Sequence, residues 1–424
     1  MNLLATRTRL LSGAALTVGL TMIAASPAQA TCTVAPAASP VTGTITCATT
    51  TTTDTTYAGV SPASDRNYNV DTAAGNVTAT VSTGATVDGF GLAVTNTGAG
   101  GNALNVVNNG AVQINATNAA TQGGTAALNV TALGATNVNY SGTGTITNLG
   151  TGGNGLNVAM TGTGNFVGTV GGNVTSAVGA GDPSGNAIAV INSGTAGNIT
   201  LTTAAGTTLR GDNSGILVGA LAGASTSNLS VTNNAAIGSL TGAPGTLDYG
   251  IINRSFGLGS VTTVNNGAIG SATDRIALTG IYSDITNAAS TAAFSLTGSG
   301  AIFAAGTGIF AANAGTGTTT VNYTGAVNTT AASGVVVSGG TGATSVTLGA
   351  VTAATDAVTV NGPAVVDAVT VVCASPFAAV VAVPGLTVSP PPAKFTATPD
   401  SGLPAESFAT TTRGLANVAP TTAD

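Results

Sequence analysis

A short motif, a small residue followed by an aliphatic, a variable residue and a second apolar residue, recurs along this chain at nearly even spacing. It reads Gly91-Leu92-Ala93-Val94, Ala103-Leu104-Asn105-Val106, Ala127-Leu128-Asn129-Val130, Gly155-Leu156-Asn157-Val158, Ala187-Ile188-Ala189-Val190 and Gly215-Ile216-Leu217-Val218. It continues as Gly250-Ile251-Ile252, Gly280-Ile281-Tyr282, Gly308-Ile309-Phe310, Gly334-Val335-Val336-Val337 and Ala357-Val358-Thr359-Val360. From Leu104 to Val358 the steps average about 28 residues, a period that belongs to repeat architectures. A second strand lies between successive anchors, as in "NITLTTAAGTTL", "NLSVTNNAAI", "AFSLTGSGAI" and "TTTVNYTGAV". Each alternates apolar and polar residues, the period-two pattern of strands, and then passes through Gly or Asn-Asn to another aliphatic. Glycine and asparagine supply the positive-φ corners that such a path needs.

One strand pair with its turns is one coil of a solenoid. Stacked coils satisfy each other's backbone groups in parallel, at about 4.8 Å per coil. Leu104, Ile188, Ile251 and Ile309 are then expected to stack into a continuous apolar column. No coil buries that face alone, so many are required. The reading is an all-β parallel β-solenoid of about eleven coils over residues 55–372, a rod on the order of 50 Å long. Proline agrees with it: between Ala63 and Pro363 there are only Pro183 and Pro244, both near glycine-rich turns. A proline within a stacked ladder removes a donor.

Composition excludes several function classes. Charged residues make up 5% of the 424, against about 25% in ordinary domains. Histidine and tryptophan are absent, the one lysine is Lys394 and the one glutamate is Glu406. The net charge of −6 is spread over scattered aspartates. No basic patch exists to neutralise phosphates, which disfavours nucleic acid as a partner.

The ends read differently from the middle. Residues 1–30 have the layout of a secretory signal: Arg7 and Arg9, an apolar stretch from Leu10 to Ala25, and the small-residue pattern Ala28-Gln29-Ala30 before the cleavage point. A membrane anchor is the alternative, for which the apolar stretch is short. Residues 31–54 hold Cys32 and Cys47, expected to pair in an oxidising compartment. The alternative is free or metal-bound thiols, with no histidine to complete a zinc site. Cys373 has no partner left. Residues 373–424 contain eight of the fifteen prolines and read as a disordered tail, one whose abrupt change of text also fits a truncation or a change of reading frame.

The signal segment, the Cys-x14-Cys segment and the coils with "VNNGAV" (Val107 to Val112), "VTNNAAI" (Val231 to Ile237) and "VNNGAI" (Val264 to Ile269) resemble an autotransporter passenger of a Gram-negative bacterium. The resemblance covers roughly residues 1–372 and is one of style rather than of a specific motif. It implies a right-handed parallel β-helix displayed at the cell surface as an adhesin or stalk. The partners it implies are host or abiotic surfaces, polysaccharide or other cells, and an outer-membrane translocator barrel. The last fifty residues lack the alternating strands and aromatic girdles of such a barrel. The barrel is therefore expected outside this chain, with residence in the periplasm as the alternative.

Chemistry is sparse. There is no histidine for general base work, and the repeat region offers only aspartates, at 65, 71, 88, 182, 212, 248, 274, 284, 356 and 367. Asp248, Asp274 and Asp284 with Arg254 and Arg275 form the densest charged group. That group is either a lyase-like or cation-binding cleft or a set of turn-capping aspartates with a surface ion pair; the second is expected. Arg210-Gly211-Asp212 spells an integrin-binding tripeptide, placed in a turn before the Ile216 anchor; a tripeptide arises often by chance, and chance with turn chemistry is the expected reading. Glycine-rich calcium repeats and phosphate loops are absent. The expectation is a structural or adhesive surface rod with no catalysis, cofactor or metal, and the alternative is a carbohydrate-active β-helix enzyme.

Overall fold

The computed structural model describes residues 32–36, 40–52, 67–71, 75–96, 101–115, 124–150, 152–176, 185–353, 358–361, 366–371, 381–382 and 395–397. The signal segment 1–30, Cys373 and most of the proline-rich tail lie outside them. Among the described residues there is no helix; the chain forms long parallel sheets whose strands follow one another in chain order, as in a β-solenoid. The first sheet has twelve strands, from Asn67–Val70 to Val381–Ala382. The second has fourteen, from Thr33–Ala35 to Phe395–Ala397. The third has seven, from Thr51–Thr52 to Ala236–Ser239. Bridges at Ile269 carry that third sheet on to Ile302–Ala304, Val327–Thr329 and Val351–Thr352. Two short strands, Val381–Ala382 and Phe395–Ala397, extend the ladders beyond residue 373.

Each coil thus contributes three strands rather than two. Leu92, Leu128, Leu156, Ile188, Ile216, Ile251, Ile281, Ile309, Val335 and Val358 lie directly opposite one another on the first sheet. Leu104 does not belong to that column. It pairs with Val77 and Val138 on the second sheet, where Phe166, Ile199, Leu229, Val261 and Phe294 continue the line. The reason is simple: any strand buried on one side carries small–aliphatic–x–apolar text, whichever sheet it joins. The third sheet supplies Val87, Val112, Ile146, Val174, Leu209, Ile237, Ile269, Ile302, Val327 and Val351, and all three columns meet in one buried core.

This triangle explains the small residue before each anchor. A Cβ on Gly250 or Gly280 would fall 2.4 Å from Cγ2 of Ile269 or Ile302, and one on Gly308 would fall 2.2 Å from Cγ1 of Val327. At these coils the third-sheet aliphatic packs into the place a side chain would take, so the anchor follows glycine; elsewhere, as at Ala127 and Ala187, a methyl group is tolerated.

The recurring asparagines close the corners. Asn192 donates from Nδ2 to the carbonyls of Ala196 and Gly197 and accepts from the Gly194 amide at 2.8 Å. Asn148 accepts from Gly150 and Asn313 from Gly315 in the same way. The side chain thus stands in for a backbone turn and satisfies amides that would otherwise be buried without partners. In "VNNGAI" the two asparagines have different duties. Asn265 is buried and donates to the Gly267 carbonyl, whereas Asn266 is outward and donates to Asn234 of the preceding coil.

One buried chain of hydrogen bonds crosses several coils. Thr203 Oγ1 donates to Asn233 Oδ1, Asn233 Nδ2 donates to Asn265 Oδ1, and Asn265 Nδ2 donates to the Tyr323 hydroxyl, at 2.7, 2.8 and 2.7 Å. The coil between Asn265 and Tyr323 presents Gly298 at this register position. With no side chain there, the phenol reaches past it, and the hydroxyl itself donates to the Gly300 carbonyl.

Burial pushes the phenols of Tyr140 and Tyr323 well above their ordinary range. The folded chain therefore keeps protons that the unfolded chain releases above about pH 10. Stability is expected to be level below that point and then to fall by about 1.4 kcal/mol per pH unit for each such phenol. Urea midpoints measured from neutral to strongly alkaline pH check this.

Candidate functional site

The outward side of the first sheet carries the most elaborate side-chain cluster. Strands Tyr249–Ser255 and Thr279–Ile285 place Arg254 directly opposite Asp284. The guanidinium grips the carboxylate as a fork, Nε to Oδ1 at 2.9 Å and Nη2 to Oδ2 at 2.9 Å. Arg254 Nη2 also donates to the Tyr282 hydroxyl. The guanidinium lies over the Tyr282 ring at 4.7 Å and near the Phe256 ring at 5.3 Å. Tyr282 stacks on Phe310 of the next coil at 4.8 Å and 16°, and meets Tyr249 edge-on at 6.2 Å. Tyr282 thus sits between the guanidinium of the preceding coil and the Phe310 ring of the next. The signal for this column was present in the text: Ile252, Tyr282 and Phe310 each follow an anchor.

The Asp284 side chain is 4% exposed and that of Arg254 34%. Burial pushes the Asp284 carboxyl above its usual value, while Arg254 pulls it back. Removing the guanidinium leaves a buried carboxylate without its counter-ion, which is costly. Arg254→Met is expected to lose about 2 kcal/mol at neutral pH. A raised folded-state pKa means that the folded form gains stability as the pH falls through it. The deficit should therefore shrink on acidification, and Asp284→Asn in the same chain should remove most of it. Chemical denaturation at two pH values measures both.

The rest of the charged group does not converge on this pair. The Asp274 carboxylate accepts from the amides of Ser239 and Gly245 at 3.0 and 2.8 Å, tying two long corner loops together. The Arg275 guanidinium donates to the carbonyls of Asn328 and Ala304 and sits near the Phe303 ring. Asp248 stands beside Asp212 on the neighbouring coil, its amide donating to the Asp212 carbonyl at 3.3 Å. Burial first, and the Asp212 charge second, push the Asp248 carboxyl up. Neighbours in sequence such as Asp274 and Arg275 thus serve different contacts, whereas Arg254 and Asp284, one coil apart, meet.

Arg210 and Gly211 end the strand Thr208–Gly211, opposite Gly238 and Ser239. The Arg210 guanidinium donates to the Ser239 carbonyl at 2.7 Å, and Gly211 is buried. Asp212 forms the corner that leads into the Ile216 strand. Arg210 and Gly211 therefore belong to the ladder, and the tripeptide does not project as a loop tip.

Cys32 and Cys47 form a disulfide. Among the described residues no group of three or more His, Cys, Asp or Glu gathers where a metal ion would need it. A shallow depression of about 280 Å³ at a corner is lined by Gly84, Asn109, Gly144 and neighbours, none of them charged.

The outward side of the second sheet is of another kind. Thr200, Ser230, Thr262, Ser295, Thr320 and Ser345 form one rank across six consecutive strands. Thr202, Thr232, Val264, Thr297, Asn322 and Thr347 form a second rank beside it. Outward asparagines at the start of these strands form a further ladder. Asn137, Asn165, Asn198 and Asn228 each accept, through Oδ1, the backbone amide of the next coil at 2.8–2.9 Å. Comparison with known proteins finds no matching family model, no matching curated protein and no matching solved structure.

Proposed function

We propose that this chain is an exported, non-catalytic surface rod of the autotransporter-passenger type, a right-handed β-helix of about eleven coils that works as an adhesive or structural stalk. The observation that carries the reading is the pair of Thr/Ser/Asn ranks on the second sheet. They repeat the same weak hydrogen-bonding and methyl groups at every coil, with no charge among them. Such a face gains strength by repetition: each contact is slight, and many act at once. The disulfide points to an oxidising, exported environment. The signal segment, an outer-membrane translocator barrel, and host, abiotic or polysaccharide surfaces or other cells as partners belong to the same proposal.

The test is adhesion of the purified rod to cells and to abiotic surfaces. Lysines at Thr200, Thr232, Thr297 and Thr347 should lower retention together far more than any one does alone. Unchanged retention in the fourfold variant, with its sheet spectrum intact, overturns the reading.

The alternative, a carbohydrate-active enzyme, rests on the adjacent Asp212 and Asp248. Incubation with pectin and related polysaccharides decides it: release of new sugar ends that is abolished by Asp248→Asn would favour the enzyme.

A further inference from the structure

The N-terminal edge of the second sheet is closed in a way that no other described strand pair repeats. Thr44–Cys47 lies parallel on Val77–Val81. Its other edge takes Thr33–Ala35 antiparallel, over three residue pairs: Thr33 with Thr46, Val34 with Ile45 and Ala35 with Thr44. All other named strand pairs are parallel. The covering strand is followed by Pro36, which has no amide hydrogen to offer. A short strand next to proline is how natural sheets blunt an exposed edge.

Three features hold this cover in place. The disulfide ties Cys32 to the last residue of the covered strand, with the Cα atoms 4.3 Å apart. Thr33 Oγ1 donates to the Thr46 carbonyl at 3.2 Å. Gly43 leaves room for the returning chain: a Cβ there would lie 2.0 Å from the Ala35 oxygen and 2.8 Å from Pro36 Cδ. Three backbone pairs alone are a marginal association, so the cross-link and the glycine keep the cover closed.

What lies beneath is an edge suited to pairing. Thr44-Ile45-Thr46-Cys47 alternates outward threonines with buried Ile45 and Cys47. Residues 40–52 contain no Lys, Arg, Asp or Glu. Charges of that kind are what usually keep two edges apart.

We propose that the Thr44–Cys47 edge is a latent interface for a second copy of this chain, and that the Thr33–Ala35 strand is its cover. The edge is shaped for an antiparallel strand, because it already holds one. The partner whose polarity fits is the same edge of another copy related by a two-fold axis. Pairing of that kind is self-complementary and closes at two, joining two rods end to end. The inference is independent of the adhesive reading, because it concerns the end of the stack and not its faces.

Two variants open the cover by different routes: Cys32→Ser with Cys47→Ser removes the cross-link, and Gly43→Val fills the space that the returning chain occupies. The unaltered chain should keep the monomer mass in size-exclusion chromatography with light scattering. Both variants should move to twice that mass as concentration rises, keep the sheet spectrum, and double their longest dimension in small-angle scattering. Adding Thr46→Lys to the cysteine variant should return it to the monomer mass, because like charges then face each other across the two-fold axis. Monomers in both variants with an intact spectrum overturn the proposal, as does a mass that grows past the dimer. Loss of the sheet spectrum in both overturns it too, since the hairpin would then be part of the stack's own stability.

Discussion

Gly298→Val is expected to lose on the order of 4 kcal/mol, enough to threaten the coils around it. The position has a φ of +154°, which side chains with a Cβ rarely adopt. The added Cβ would lie 2.1 Å from the Asn265 carbonyl oxygen, so backbone must move. A further part of the effect comes through the polar chain. A side chain at 298 blocks the path by which the Tyr323 hydroxyl meets Asn265 Nδ2. That bond is then lost, at a cost of about 1–3 kcal/mol, while Asn265 Nδ2 keeps the Gly267 carbonyl and the hydroxyl keeps the Gly300 carbonyl. Tyr323→Phe provides the comparison, with an expected loss of about 2 kcal/mol, because it removes one hydroxyl without adding bulk. Urea midpoints for the two variants check the order. If Gly298→Val proves as stable as the unaltered chain, the bridging role of Tyr323 is wrong.

The second large effect is Ile281→Ala, with an expected loss of about 3.5 kcal/mol. Ile281 is fully buried between Ile251 and Ile309, with Ile302 of the third sheet packed beside it through Gly280. A neighbour that could collapse into the hole would have to leave the ladder, so the cavity should persist. Ile252→Ala, on the outward side of the adjacent strand, should lose under about 1 kcal/mol. Because coils touch only their neighbours, the weakening should be local. Amide exchange should quicken in the strands Tyr249–Ser255, Thr279–Ile285 and Thr307–Asn313 and stay unchanged near Leu128 and Val335. Uniform quickening along the chain would mean that the stack behaves as one cooperative unit.

Parallel stacking was legible because the anchors sit at one spacing and their text is strand text. The third sheet was not. It contributes as little as Val174–Thr175, or the single bridge at Ile269, and one inward aliphatic per coil does not read as a strand. Leu104 was misplaced for the complementary reason, since second-sheet strands share the motif of the first. The disulfide could be anticipated from spacing and compartment. Asparagine was recognisable as corner chemistry, but not which of two adjacent asparagines turns inward; register decides that. The Arg254 and Asp284 pairing was recoverable in principle, because their separation of 30 residues is close to one coil. The aromatic stack around them depends on the residue after each anchor lying outward in every coil, a rule that appears only once strands are aligned.

The unbroken alignment of the first-sheet anchors, with loops absorbing every difference in coil length, has a developmental side. A whole winding can be copied or deleted in the gene, and the flanking windings meet each other in the same way as before. Length is thus a property this protein can change in discrete increments, while an insertion of a single residue within a strand would turn the inward side chains outward over the rest of that strand, up to the next loop.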